Sequence, residues 1–217
     1  MFIGHWMPAL VAATHKNAPR LGTLFIAAQL VDWAFFVFLL TGTEHMRITP
    51  GISAMNPMDL YDMPYTHSLL GSFAFAAVFA GLIWLATTNR TAALIGGAVV
   101  LSHWFLDLLV HVPDLTLAGG PPKLGFGLWN YPWLEIPLEL GITVGALWFY
   151  ARKRQPSGPR MVLLAGILLL LQMINWLGPV APEVSLGTSL LALFAYGIAT
   201  LAAWWMGKSA LMQPQAD

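Results

Sequence analysis

AALIGGAVVLSHWFLDLLVHVPD, residues 92–114, is apolar over about the length of a bilayer crossing, yet it carries His103, Asp107, His111 and Asp114. At about 100° and 1.5 Å per residue, these four side chains fall within about 80° of one helical face, stacked over roughly 12–17 Å. Such a row points to a membrane helix that bears ligands or catalytic groups, because ionisable residues inside a span are costly and mark functional sites by default.

The rest of the chain fits that reading. Of 217 residues, 58% are hydrophobic and 9% charged, with mean hydropathy +0.69. A soluble domain carries about a quarter of its residues as charges, so the composition is that of an integral membrane protein. Ten basic residues balance ten acidic ones, which gives no electrostatic case for a nucleic-acid partner. The absence of cysteine excludes disulfides, thiolate metal sites and cysteine nucleophiles. The opening residues lack the basic leader and cleavage site of a signal peptide, and they are expected to belong to the mature protein.

Apolar runs of about 20 residues occur at 21–42, 68–87, 92–112, 131–150, 161–180 and 185–206. The expected fold is therefore an all-α bundle of six transmembrane helices forming a single polytopic domain over 1–217. A shorter apolar segment, 2–13, is a short or tilted helix that would make a seventh span if it crossed. Lys16, Arg20, Arg90, Arg152, Lys153, Arg154, Arg160 and Lys208 alternate in the connections with an opposite set holding Glu44, Arg47, Asp59 and Asp62, then Asp114 and Lys123, then Glu183. The positive-inside rule puts the basic side, the C-terminal tail 207–217 included, in the cytoplasm. The long connections 43–66 and 113–130 then lie on the outer side, where a cover over a site would be. Trp129, Trp133, Trp204 and Trp205 suit interfacial anchoring.

Asp32, His103, Asp107, Glu135 and Glu139 fall inside the expected spans, His67 just before one and His111 at the end of another; no Lys or Arg falls inside any. A carboxylate at mid-membrane costs about 2.5–3.5 kcal/mol on insertion scales. Without basic partners, these groups need protons, water or a cation. In the expected topology they crowd the outer half, so one cavity could collect ligands from four or five helices. Each residue also has an ordinary structural account: a His103–Asp107 hydrogen bond within the helix, a polar helix start at His67, a neutral hydrogen-bonded Asp32. Gln172 and Asn175 suit interhelical hydrogen bonds.

The Thr66-His67-Ser68-Leu69-Leu70 start of one span, with Ser102-His103 and Asp107 in the next, resembles the membrane-bound metal-dependent hydrolases, the LexA-binding inner-membrane hydrolase family. The family has an early His, an Asp in a following hydrophobic run, a Thr-His-Ser helix start, then a His and an Asp one turn apart. The matching positions are His5, Asp32, His67, His103 and Asp107, within roughly the first two thirds of the chain. Two departures stand out: Leu30-Val31-Asp32-Trp33 replaces a Pro-Asp-x-Asp stretch, and Met63-Pro64-Tyr65 replaces a His-Arg pair. The resemblance implies a bacterial-type inner membrane and a distant similarity to zinc-dependent phospholipases C.

Together these features lead to an expected metal-dependent hydrolase of an ester or phosphoester in a membrane lipid or amphiphile. A divalent ion, Zn²⁺ by its ligand types, is expected on His67, His103 and Asp107, with Asp32 and His5 as further ligands or supports. Glu135 or Glu139 is the expected general base, and His111 and Asp114 are expected at the mouth, either supporting the ligands from behind or facing substrate. Two other classes stay open: an ion-coupled carrier that uses the intramembrane carboxylates, and a haem held by His67 and His103.

Overall fold

The computed structural model describes residues 1–207, so Lys208 and the tail expected in the cytoplasm lie outside the described residues. The protein is mostly helical. In chain order it has α1 (Met7–Ala12), α2 (Leu21–Ala28), α3 (Leu30–Thr41), α4 (Leu69–Thr87), α5 (Arg90–Val110), α6 (Pro132–Arg154), α7 (Gly158–Leu177) and α8 (Leu186–Gly207). Helices α4 to α8 are each long and apolar enough to cross a membrane. They coincide with five of the apolar runs. Exposed Val78, Leu85, Leu94, Val162, Leu177, Leu191 and Leu201 give the bundle the outward apolar surface of a multi-pass membrane protein.

The sixth run, 21–42, is two helices. α2 and α3 are bent by 54° at Gln29, so together they form one broken span or a re-entrant element. Nothing in the local sequence forces this, since the run contains neither proline nor glycine at the break. The expected N-terminal helix is also shorter than a crossing: a 3-10 turn (Ile3–Trp6) leads into the six-residue α1. This segment runs inside the bundle. Its Phe2 and Gly4 amides meet Glu139 of α6, while Arg154 at the far end of α6 donates to the carbonyls of Ala13 and His15 at 2.8 and 3.0 Å.

Helices α4 and α5 form a tight antiparallel hairpin. Thr88 adopts a left-handed conformation that ends α4, and Asn89 starts α5 by accepting the amide of Ala92 on its side chain at 3.1 Å. Small residues let the two helices close together. A Cβ on Gly97 would lie 3.1 Å from the Ala76 carbonyl oxygen and 3.2 Å from the Ala80 Cβ. On α5, Gly96, Val100, His103, Asp107 and Val110 form a buried stripe with helical period, which makes it the most enclosed of the five long helices.

The two long connections hold short antiparallel pairs: β1 (His45–Ile48) with β2 (Met58–Asp62), and β3 (Leu115–Thr116) with β4 (Lys123–Leu124). They also hold each other. Lys123 donates to the Tyr61 carbonyl at 2.8 Å, the Thr116 amide to the His67 carbonyl at 3.3 Å, and the Leu70 amide to the Leu117 carbonyl at 2.9 Å. These loops cover the end of the bundle where α4 begins, α5 ends and α6 begins.

Candidate metal centre

Asp107 stands at the centre of the charged residues. Its Oδ1 lies 3.0 Å from His5 Nε2 and 3.2 Å from His111 Nε2; its Oδ2 lies 3.0 Å from His103 Nε2 and 3.7 Å from His67 Nε2. Asp32 Oδ1 faces His67 Nε2 and His103 Nε2, each at 3.4 Å. Four imidazoles thus direct one nitrogen each toward two carboxylates. The ligand atoms of His5, His103 and Asp107 all lie within 4.8 Å of one another, as do those of Asp32, His67 and His103. Either triplet is compact enough to hold a metal ion.

The opposite ring nitrogens reveal the protonation pattern. His103 Nδ1 lies 2.8 Å from the carbonyl oxygen of Ala28. A carbonyl can only accept, so Nδ1 carries the proton, and in the neutral ring Nε2 presents a lone pair. The break at Gln29 makes this bond available. In an unbroken helix the Ala28 carbonyl would accept the amide four residues on; with α2 ended, it faces His103 instead.

His67 follows the same logic through a relay. The Thr66 hydroxyl donates to Glu44 Oε2 at 2.6 Å, and this leaves Thr66 Oγ1 to accept from His67 Nδ1 at 2.8 Å. Glu44 Oε1 also takes the amides of Tyr65 and Thr66, each at 2.8 Å. His111 Nδ1 donates to Asp114 Oδ1 at 2.9 Å. Three histidines therefore fix the proton on Nδ1 and turn Nε2 inward. Metal-ligating histidines commonly show this arrangement, the far nitrogen hydrogen-bonded to a carbonyl or carboxylate.

The inward side is unsatisfied. His103 Nε2 and Asp107 Oδ2 are 3.0 Å apart, yet both are buried and neither has a hydrogen-bond partner among the described residues. With His103 neutral, two lone pairs would face each other at this distance and repel; either a proton on Nε2 or a metal cation between them removes the repulsion. Rings pack tightly around this point: His5 stacks on His103 with centroids 3.9 Å apart, and His111 lies against Trp129 at 4.2 Å. Phe35 meets His67 edge-on at 5.1 Å.

Among these groups Asp32 alone retains access. Its side chain is 17% exposed, against 3% or less for His5, His67, His103 and Asp107. Tyr196 of α8 donates its hydroxyl to Asp32 Oδ2 at 3.2 Å. Asp32 is therefore the least enclosed edge of the cluster.

His5, Asp32, His67, His103 and Asp107 thus meet in one place. His111 joins them more closely than its expected place at the mouth. It is buried against Trp129, and Asp114 supports it from behind. The two glutamates expected as general bases separate. Glu139 is occupied elsewhere: Oε1 accepts the amides of Phe2 and Gly4 at 2.5 and 3.0 Å, and Oε2 accepts Gln172 Nε2 at 2.8 Å. Glu135 is buried, with Oε2 lacking a partner among the described residues.

Compared with protein-family models, with curated proteins and with solved structures, the chain finds no match in any of the three. Three participants escape a reading by residue type. Glu44 reads as a loop acid but is fully buried; Tyr196 sits in a span otherwise free of ionisable groups; the Ala28 carbonyl has no side-chain signal. A Thr directly before a membrane-entry His, with an acid upstream, is the one trace of the Glu44 relay in the sequence.

Proposed function

We propose that the cluster is a divalent-metal centre and that the chain is a membrane-embedded hydrolase of an ester or phosphoester in a lipid or amphiphile. The facing, unsatisfied pair His103 Nε2 and Asp107 Oδ2 carries this reading, because a cation between them removes the repulsion and balances the carboxylates of Asp32 and Asp107. His103, Asp107, His67 and Asp32 would hold the ion, with His5 and His111 beside Asp107. Neutral imidazoles with carboxylates and no thiolate favour Zn²⁺. A bound ion of this kind acidifies a coordinated water toward neutrality and polarises a carbonyl or phosphoryl oxygen.

The chain's own residues supply the rest. Ala28, Glu44 through Thr66, and Asp114 keep the imidazole protons on the outer nitrogens, which leaves the inner ones free to bind. Asp32, with Tyr196 beside it, stands at the accessible edge and would meet the substrate first. Glu135 remains a candidate base; Glu139 is given up for that role because its oxygens hold the N-terminal segment. A lipid or amphiphile is favoured because the cluster lies within an apolar bundle, near the end that the two long connections cover. The resemblance of Thr66-His67-Ser68 and His103-Asp107 to the membrane-bound metal-dependent hydrolases agrees with this reaction class.

In the proposed topology, α2 and α3 count as one broken span among six, the basic connections face the cytoplasm, and the C-terminus is cytoplasmic, in a bacterial-type inner membrane. A carrier is less well supported, because the buried carboxylates and histidines gather at one end of the bundle rather than linking both. The test is hydrolysis. Purified protein in mixed phospholipid vesicles, with and without added Zn²⁺, should release headgroup or fatty acid, and the release should be lost with His103→Ala. Ion flux dependent on Asp107, with no hydrolysis of any ester or phosphoester, would overturn the reaction and favour the carrier.

A further inference from the structure

Of the four histidines around Asp107, His5 is the one neither in a long helix nor within two residues of one. It sits in a four-residue 3-10 turn, where little local structure fixes its direction, and its own Nδ1 has no partner among the described residues. Its Nε2 nevertheless lies 3.0 Å from Asp107 and its ring stacks flat on His103. Something outside the turn must set that position.

The amides of Phe2, Ile3 and Gly4, which a helix start leaves unpaired, all turn toward α6 and α7. Glu139 Oε1 accepts Phe2 and Gly4, while Gln172 Oε1 accepts Ile3 at 3.3 Å. Gln172 Nε2 then donates to Glu139 Oε2 at 2.8 Å, which closes the set. The two side chains are buried at 1% and 0% exposure, so no solvent competes. Gly4 fits a crowded spot, since a Cβ there would come within 2.7 Å of Met1 Sδ and 3.3 Å of Ile142. Beyond His5, Trp6 is pinned by donating to the Phe25 carbonyl at 3.2 Å. His5 is thus held between two anchors, only one of which is charged.

We propose that Glu139 and Gln172 form a positioning clamp that grips the backbone of residues 2–4 and so presents His5 to Asp107 and His103. The clamp accounts for a buried carboxylate in a span with no basic partner: three N–H donors compensate its charge. Its role at a metal rests on the metal-centre reading, whereas its grip on His5 does not.

The donor pattern supplies a specific test. With Glu139→Gln alone, the new amide NH₂ confronts the NH₂ of Gln172. Rotating Gln172 to relieve this would turn its NH₂ against the Ile3 amide. With Glu139→Gln/Gln172→Glu, every hydrogen bond can be remade: the amide at 139 accepts Phe2 and Gly4 through its oxygen and donates to the carboxylate at 172, which still accepts Ile3.

Full-length protein labelled with ¹⁵N-histidine, in nanodiscs and stripped of metal, gives the readout. The His5 ring resonances are assigned with His5→Ala. Glu139→Gln should shift or broaden the His5 resonances while those of His15 and His45 stay in place, and the double exchange should return them to their wild-type positions. Zn²⁺ affinity in parallel should fall about 10–100-fold in the single variant and recover in the double. Unchanged His5 resonances in Glu139→Gln would overturn the clamp. If that variant does not fold, displaced His5 resonances in the double exchange would do so. Absence of Zn²⁺ binding in wild type would instead sink the metal reading and leave the resonance test standing.

Discussion

Replacing Thr66 with Val keeps the shape of the side chain and removes only the hydroxyl that links Glu44 to His67. Thr66 is fully buried, and its Oγ1 makes two short contacts, 2.6 Å to Glu44 Oε2 and 2.8 Å to His67 Nδ1. Glu44 keeps two amides, at 2.8 Å each, so its charge stays compensated. His67 has no such reserve: its Nδ1–H is left without an acceptor in a dry site. A buried donor without a partner costs about 1–3 kcal/mol, and loss of the charge-assisted bond to Glu44 adds a comparable amount, so destabilisation on the order of 3 kcal/mol is expected. Freed of its acceptor, the His67 ring can rotate or shift its proton to Nε2, and metal affinity should fall about 10–100-fold, as when other outer hydrogen-bond partners of metal ligands are lost. Competition with a chromophoric chelator reads the affinity, and thermal unfolding in detergent reads the stability. Thr66→Ser, which retains the hydroxyl, should stay near wild type in both. Wild-type affinity in Thr66→Val, or an equal loss in Thr66→Ser, would refute the relay.

Two other substitutions probe different parts of the account. Tyr196→Phe removes the hydroxyl that donates to Asp32, a proposed ligand, and should lower Zn²⁺ affinity about 10-fold, well short of the loss in His103→Ala, and lower vesicle hydrolysis with it; wild-type affinity in this variant would show that Asp32 does not hold the ion. Gly97→Leu forces a branched side chain against the Ala76 carbonyl and Ala80, so unfolding in a denaturant series should show α4 and α5 destabilised by about 1–3 kcal/mol, with Gly97→Ala affected less.

The spans were legible because hydrocarbon demands about 20 apolar residues, and α4 to α8 obey that demand. His67, His103 and Asp107 stood out for the complementary reason, as ionisable groups in apolar surroundings. The break at Gln29 was not legible. Its run lacks any breaking residue, and its structural counterpart, the Ala28 carbonyl facing His103, lies 75 residues away in sequence. Glu44 was hidden because a loop acid ordinarily faces water, whereas here the loop folds down onto the start of α4. Glu139 was visible as a buried acid, but its partners are backbone amides of Phe2 and Gly4, which no residue pattern announces. Side-chain chemistry could therefore be read from the chain, while bonds to backbone required the fold.

The central claim is that a cation joins His103 and Asp107. Elemental analysis of protein purified without added chelator, followed by Zn²⁺ titration of the stripped protein, tests it most directly, with folded His103→Ala and Asp107→Ala as controls. At least one equivalent of tightly held divalent metal in wild type, lost in both variants, is the predicted result. A folded wild-type protein that neither retains nor takes up Zn²⁺ would contradict it, and would mean that protons shared among the imidazoles and carboxylates hold the cluster together.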